Sequence, residues 1–195
     1  MKRAFDIFFS SVGLLVLLPV FIVVAVCIKI DSPGPVFFKQ VRVGRKGKDF
    51  SIYKFRTMSV TKDAGSLVTI GSHDPRVTRT GFFLRKYKID ELPQLFNVLK
   101  GDMSFVGPRP EVRHYVDYWT EEQLRVLDVR PGITDPASIK FHNENEILEG
   151  VEDPEKYYIE VLMQEKLELY GKYVDNHSFF GDLCIIFKTF KAIVT

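Results

Sequence analysis

A chain of 195 residues is long enough for one domain with its own core and a short appendage. Its 27 basic and 25 acidic residues nearly cancel to a formal charge of +2, so total charge alone points to no partner. With only two cysteines, one inside an apolar run, a disulfide-built scaffold is excluded and a reducing compartment fits; four histidines isolated from both exclude a zinc-type cluster.

The charge is unevenly spread. From Lys29 to Arg56 eight cations face two anions, and from Glu144 to Glu168 nine acids face two lysines. Such a chain has a polarised surface, one side suited to anions and the other to water.

The first element is VGLLVLLPVFIVVAVCI, Val12 to Ile28, 17 residues without a charge. That is the lower edge of what a helix needs to cross about 30 Å of hydrocarbon. No small-x-small cleavage site follows, so a secretory leader is a poor fit. A segment apolar on all faces is costly as the core helix of so small a domain, which favours membrane association. Lys2 and Arg3 flank one end, and Lys29 with the basic block flanks the other, so a true span would send one positive group to the wrong face. Pro19, near the centre, removes a backbone hydrogen bond and bends the helix. Both features predict a re-entrant anchor over residues 1–31 that enters and leaves by one leaflet, with residues 32–195 as a cytoplasmic domain at the membrane surface. A straight span is the alternative.

DSPGP (31–35) ends this helix. VFFKQVRV (36–43) and FSIYKFRTM (50–58) then flank GRKGKD, which predicts a β-hairpin. Ser59 to Pro75 reads as a mobile loop, and FFLRKYKI (82–89) as helical. At LPQLFNVLKGD a second helix begins, with Pro93 in its first turn and Gly101 as its C-terminal cap. Arg109 lies between two prolines on a stiff, non-helical segment suited to presenting a guanidinium in fixed geometry. Residues 111–128 look helical, VRPGIT (129–134) is a Pro-Gly turn, and 144–170 is an acidic helical region. The tail SFFGDLCIIFKTFKAIV (178–194) is amphipathic, either packed in the core or lying on a membrane.

The chemistry concentrates in LRKYKIDELPQLF (84–96), where Arg85, Lys86 and Lys88 lead into the adjacent acids Asp90 and Glu91. Their place at a helix start is one where free N–H groups attract anions, phosphates included. Many cations suggest a phosphorylated substrate. An acid pair among them suggests a divalent metal held by one or two carboxylates together with substrate phosphates. A carboxylate free to attack phosphorus would allow an aspartyl-phosphate type intermediate. Spacing shows only that the two acids share a site.

The block RKYKIDELPQLFNVLKGDMSFVGPRPE, with YKFRTM before it and VRPGIT after, resembles the bacterial sugar transferase family of small monotopic phosphoglycosyl transferases. The likeness runs from the anchor to Asn176-His177-Ser178 and Asp182. It implies transfer of a sugar-1-phosphate from a UDP-sugar to a polyprenyl (undecaprenyl) phosphate with release of UMP, the first membrane step of a surface glycan. It further implies that Asp90 is the nucleophile, that Glu91 helps to hold Mg²⁺ beside it, and that Arg85, Arg109, Lys54 and Arg56 bind phosphates. The implied location is the cytoplasmic face of the bacterial inner membrane, with a homodimer open to it and no nucleic acid as partner. Two departures stand out. The family's common Ser-Pro pair at the helix break is Leu18-Pro19 here, and DPASIKFHNENEIL (135–148) replaces the usual residues after the PGIT turn, a change expected to bear on the donor sugar.

The expected fold is α+β and mostly helical: a re-entrant membrane helix, a small β-hairpin, a helical catalytic core and amphipathic C-terminal helices. Two other functions compete, a metal-dependent phosphatase of lipid pyrophosphates and a non-catalytic membrane-anchored adaptor whose basic hairpin binds lipid headgroups.

Overall fold

The structure is a computed structural model that describes residues 1–59, 76–141 and 143–194. The expected loop from Ser59 to Pro75 lies, beyond Ser59 itself, outside the described residues. The apolar N-terminus folds as two helices, α1 (Lys2–Val16) and α2 (Leu18–Asp31), bent by 59° at Leu17. Pro19, in the first turn of α2, offers no N–H at the break, so the bend arises at a proline without a serine beside it. Among the described residues no single helix is long and apolar enough to cross a membrane, whereas the bent pair taken together is.

One side of α2 is buried: Phe21, Val24 and Ile28 pack with Phe55 and Leu84. The other side of the pair leaves Leu15, Val16, Ile22, Val23, Val26 and Ile30 exposed. Both ends of the pair are tied to one body. Lys2 Nζ donates to Asp182 Oδ2 (2.6 Å), the Val106 carbonyl (2.7 Å) and the Tyr173 hydroxyl (2.8 Å). Arg3 reaches the carbonyls of Val98 and Leu99, the last turn of a later helix. At the far end Asp31 accepts from the Thr80 N–H (2.8 Å), and Arg56 donates to the carbonyls of Ser32 (2.8 Å) and Pro33 (2.5 Å).

Strands β1 (Phe37–Val43) and β2 (Asp49–Phe55) form the antiparallel hairpin, Phe37 opposite Phe55 and Val43 opposite Asp49. Lys46 and Gly47 take positive φ in its turn. Next come α3 (Arg79–Lys86), capped by Thr78, a 3-10 turn (Ile89–Glu91) and α4 (Gln94–Lys100), ended by Gly101 at φ 97°. Lys88, at φ 56°, separates α3 from the acid pair, so the helical run expected over 82–89 stops at Lys86 and the acids lie in the 3-10 turn rather than in the helix that follows.

A second sheet was not foreseen. β3 (Ser104–Val106) pairs in parallel with β4 (Gly132–Thr134), so the expected Pro-Gly turn contains a strand. Beyond β3 the expected helix over 111–128 is broken into α5 (Arg113–Val116), α6 (Glu121–Leu124) and a 3-10 turn (Arg125–Asp128). Thr120, with its capping box to Gln123, starts a new helix where the first has ended. After α7 (Pro136–Lys140) the acidic region is likewise divided into α8 (Glu144–Glu149), α9 (Pro154–Tyr157), a π turn (Tyr158–Leu162) and α10 (Met163–Asn176). The main core gathers Tyr115, Val126, Phe141, Leu148, Leu162 and Leu167. The last helix, α11 (Phe179–Val194), packs on α7 and β3 and leaves Phe180, Phe187 and Phe190 exposed. The fold is α+β and mostly helical, with two two-stranded sheets among the described residues instead of one.

Candidate active site

The acid pair is held on a short turn between two rigid elements. Asn97 on α4 locks that helix to the hairpin, accepting from the Tyr53 N–H (3.0 Å) and donating to the Ser51 carbonyl (2.7 Å). Strand alternation then sends Lys54, Ile52 and Arg42 to one face of the hairpin. Ile52 is buried with Val98 and Met103, and Lys54 Nζ reaches Glu91 Oε1 at 2.9 Å.

Arg109 arrives from the opposite side. Its guanidinium forks onto Glu91, Nη1 to Oε2 at 3.3 Å and Nη2 to Oε1. The segment that carries it is stiff for reasons visible in its bonds. Gly107 N–H donates to the Thr134 carbonyl (3.1 Å), and Gly132 N–H to that of Pro108 (2.9 Å). Neither glycine has room for a side chain, since a Cβ on Gly132 would lie 2.1 Å from Gly107 N and one on Gly107 2.3 Å from the Arg130 carbonyl. On the far side Glu111 accepts from Arg42 Nη1 (2.9 Å) and from the Tyr158 hydroxyl (2.6 Å).

The two acids differ in electrostatic setting. Burial alone would raise Glu91, but Arg109 and then Lys54 outweigh it and hold the carboxyl well below the usual glutamate range. Asp90 is pushed up, first by burial and then by the charge of Glu91, against the pull of Lys54, Lys88 and Arg85. Asp90 is 8 % exposed, and among the described residues nothing donates to its buried Oδ1. A buried polar oxygen left so is rare in a folded protein and calls for a functional account.

Of the six residues singled out in the sequence, four meet: Lys54, Asp90, Glu91 and Arg109. Arg85 is near enough to act on Asp90 electrostatically, with its Nε donating to Thr57 Oγ1 at 2.9 Å. Arg56 is placed elsewhere. It is buried, and its guanidinium grips the backbone where α2 ends. Sequence reasoning took Lys88, whose charge acts on Asp90, only as part of the basic run, and it passed over the Arg42–Glu111–Tyr158 group behind Arg109. Lys88 stood in the basic run before the acids, and Glu111 directly followed the rigid Pro-Arg-Pro, so both signals were there to be weighed.

Among the described residues no group of three or more histidine, cysteine or acidic side chains converges on a metal position. The acid pair still fits a magnesium ion, which binds through one or two carboxylates and takes its other ligands from substrate phosphates and water. The unpartnered Asp90 Oδ1 beside Glu91 is such a donor set.

A family model described as bacterial sugar transferase matches residues 1–195. The chain belongs to the bacterial sugar transferase family. It is 41 % identical over 196 residues to the uncharacterized sugar transferase EpsL of Bacillus subtilis (strain 168), all of this chain against 87 % of that one. It is also 41 % identical over 198 residues to the UDP-N-acetylgalactosamine-undecaprenyl-phosphate N-acetylgalactosaminephosphotransferase of Aeromonas hydrophila, covering 44 % of it. The UDP-glucose:undecaprenyl-phosphate glucose-1-phosphate transferase of Escherichia coli (strain K12) is 39 % identical over 199 residues, 40 % of its length. The chain thus spans most of the first relative but less than half of the other two, in the family segment they share.

Proposed function

We propose that this sugar transferase moves a sugar-1-phosphate from a UDP-sugar to a polyprenyl phosphate and releases UMP. The carrying observation is the asymmetry of the acid pair: Glu91 is clamped as an anion by Lys54 and Arg109, while Asp90 beside it keeps a buried oxygen to which nothing among the described residues is bonded. The names of the Aeromonas and Escherichia relatives supply the donor and acceptor classes.

In this reading an Asp90 carboxylate oxygen attacks the β-phosphorus of the donor. The bond from that phosphorus to the oxygen bridging to the α-phosphate breaks, and UMP leaves with the bonding pair. The sugar-phosphate is then held as an acyl phosphate on Asp90. A phosphate oxygen of the polyprenyl acceptor attacks the same phosphorus, and Asp90 is released as carboxylate. A carboxylate stripped of water and short of donors is better poised for the first attack than a solvated one. Lys54, Arg85, Lys88 and Arg109 surround the place where pyrophosphate charge builds, and Arg109, on its rigid segment, is suited to bidentate contact. When bound at Asp90 and Glu91, Mg²⁺ would supply further charge neutralisation for the pyrophosphate.

The bent helix pair is read as a re-entrant anchor in the inner membrane, with the remaining domain on its cytoplasmic face. The 59° bend, the exposed apolar side and the fastening of both ends to one body support this. α11 joins the same surface, because Phe5 of α1 packs edge-on against Phe179 at 5.5 Å and the exposed Phe180 follows.

UMP release from a panel of UDP-sugars, with Mg²⁺ and undecaprenyl phosphate, tests the reaction. Release with one donor, lost on chelation and in Asp90→Asn, is expected, together with a phosphosugar adduct on the wild-type protein by intact mass when acceptor is withheld. Release of inorganic phosphate instead would identify a phosphatase and overturn the proposal.

A further inference from the structure

The hairpin has two faces, and the reaction centre uses only the one that carries Lys54 and Arg42. The other bears Phe37, Lys39 and Val41 on β1 and Tyr53 on β2, with Lys39 directly opposite Tyr53. Apolar contacts join this face to the anchor: Phe37 stacks on Phe55 at 5.4 Å, Phe55 meets Phe21 of α2 at 5.2 Å, and Phe21 meets Phe96 of α4 at 6.2 Å. Phe37, Val41, Phe96 and Leu99 are all exposed along it. Within this apolar surround Tyr53 stands between two ammonium groups. Lys39 Nζ lies 5.4 Å from its ring centre and Lys100 Nζ 4.8 Å from it, and Lys100 also donates to the hydroxyl at 3.0 Å. A phenol oxygen that already accepts from an ammonium keeps its own O–H to give away. Two ammonium groups and an O–H around one ring make a donor set for phosphodiester oxygens. Asp102 is within electrostatic reach of Tyr53 and Lys100, and its carboxylate accepts from Asn97 Nδ2 at 3.4 Å.

We propose that Lys39, Tyr53 and Lys100 form a headgroup site for an anionic phospholipid of the bilayer surface, separate from the reaction centre. This rests on the reading of the bent helix pair as membrane-embedded. A substrate phosphate is the poorer occupant, because strand alternation turns Lys39 and Tyr53 away from the face on which Lys54 meets Glu91. The bulk lipid beside the anchor has continuous access.

The test titrates short-chain phosphatidylglycerol into the protein in neutral-detergent micelles, with phosphatidylcholine of the same chain length and inorganic phosphate as comparison arms. Phosphatidylglycerol is expected to saturate where the other two do not. The K39A/K100A pair should weaken it about thirty-fold, from roughly five-fold per lysine at an anionic surface. Tyr53→Phe, which keeps the ring and its packing, should weaken it about five-fold. UMP release in neutral detergent should be unchanged in both variants. Equal affinity for the two lipids, or for variant and wild type, would overturn the site; so would saturation by inorganic phosphate in the same range, the mark of a free-anion site. A raised KM for undecaprenyl phosphate in K39A/K100A would assign the surface to the acceptor and overturn the proposal as well. Binding needs no turnover and can be read in Asp90→Asn, so failure of the transferase reading is separable from failure of this one.

Discussion

Asp90 and Glu91 are neighbours on one 3-10 turn, yet their surroundings push them in opposite directions. Glu91 is bonded by Lys54 at 2.9 Å and forked by Arg109, and its carboxyl is held well below the ordinary range. Asp90 has a buried oxygen without a donor among the described residues, and its carboxyl is raised. A pair of carboxylates driven apart by environment is how one site assigns two roles.

The first expected consequence concerns stability without substrate. A raised carboxyl favours folding below its unfolded pKa and loses that advantage as pH rises through its folded pKa. At neutral pH the Asp90 charge is therefore a cost, and Asp90→Asn should raise Tm while abolishing turnover. Glu91 has the opposite sign: its stabilisation is present above its unfolded pKa and is lost only as pH falls through its much lower folded one. Glu91→Gln leaves Lys54 and Arg109 without their partner and should cost about 1–3 kcal/mol, below the range for fully buried pairs because Arg109 is partly exposed. Thermal melts of both variants at pH 7 check this. A fall in Tm for Asp90→Asn would remove the claim that its charge is strained.

A second expectation concerns pH and turnover. If Asp90 must be ionised to attack, kcat/KM rises as Asp90 loses its proton, with the midpoint of that acid limb above the ordinary aspartate range. A bound cation favours the charged form, so raising Mg²⁺ should move the limb to lower pH. Glu91 stays ionised throughout that window and contributes no limb. Rate profiles at two Mg²⁺ concentrations decide it, and a limb that ignores magnesium would place the ion away from Asp90.

Arg56 and Arg109 were both expected to bind phosphates, but the structure gives them different partners. Arg56 donates to the Ser32 and Pro33 carbonyls where the chain leaves α2. Arg56→Lys keeps the charge and loses the paired geometry, so it should lower stability by about 1–3 kcal/mol with donor KM changed less than about three-fold. Arg109→Lys should instead raise donor KM or lower kcat at least about ten-fold. A donor-KM effect in Arg56→Lys as large as that in Arg109→Lys would return Arg56 to the phosphate site.

Much of this was legible in the chain. The hairpin was announced by two β-rich runs around a glycine-containing turn, and its edges fell within a few residues of those expected. Gly101 capped α4 as its position demanded, and Pro19 produced the bend. The parallel pair of β3 and β4 was hidden, because three-residue strands carry no alternation and their pairing joins segments some 28 residues apart. The long helix expected at 111–128 failed because Thr120 caps a new helix inside that range. Arg56 shows the limit most plainly: sequence gave its charge and proximity, but its carbonyl partners depend on where α2 happens to end. Asp6 and Asp135 carried no expected role, and Asp182 entered only through the family likeness, yet all three are buried and bonded, to Ser104 and the Phe105 N–H, to Ser138, and to Lys2 and Tyr173.

Close backbone approach at β3–β4 gives a further prediction. A Cβ on Gly132 would lie 2.1 Å from Gly107 N and 2.5 Å from its carbonyl oxygen, both backbone atoms that cannot turn aside. Gly132→Ala should cost more than about 3 kcal/mol or yield no folded protein. Gly47→Ala provides the contrast, since a Cβ there meets nothing within 4 Å and only the positive φ of 69° is strained; its cost should stay near 1 kcal/mol. Chemical denaturation of the two variants separates steric from conformational causes.

The last prediction concerns the anchor. A straight span would place Lys2 and Asp31 on opposite sides of a bilayer, but both are bonded to the same body, Lys2 to Asp182, Tyr173 and the Val106 carbonyl, Asp31 to the Thr80 N–H. Breaking either set would strand charged groups, Asp182 among them, in a buried position. Single cysteines placed by Ala4→Cys and Pro35→Cys, in a Cys27→Ser, Cys184→Ser background, should therefore both be labelled by an impermeant maleimide in inside-out membrane vesicles and neither in intact cells. Labelling of Ala4→Cys from outside with Pro35→Cys protected would mean that the helix pair crosses, and that the bonds of Lys2 are not made in the membrane.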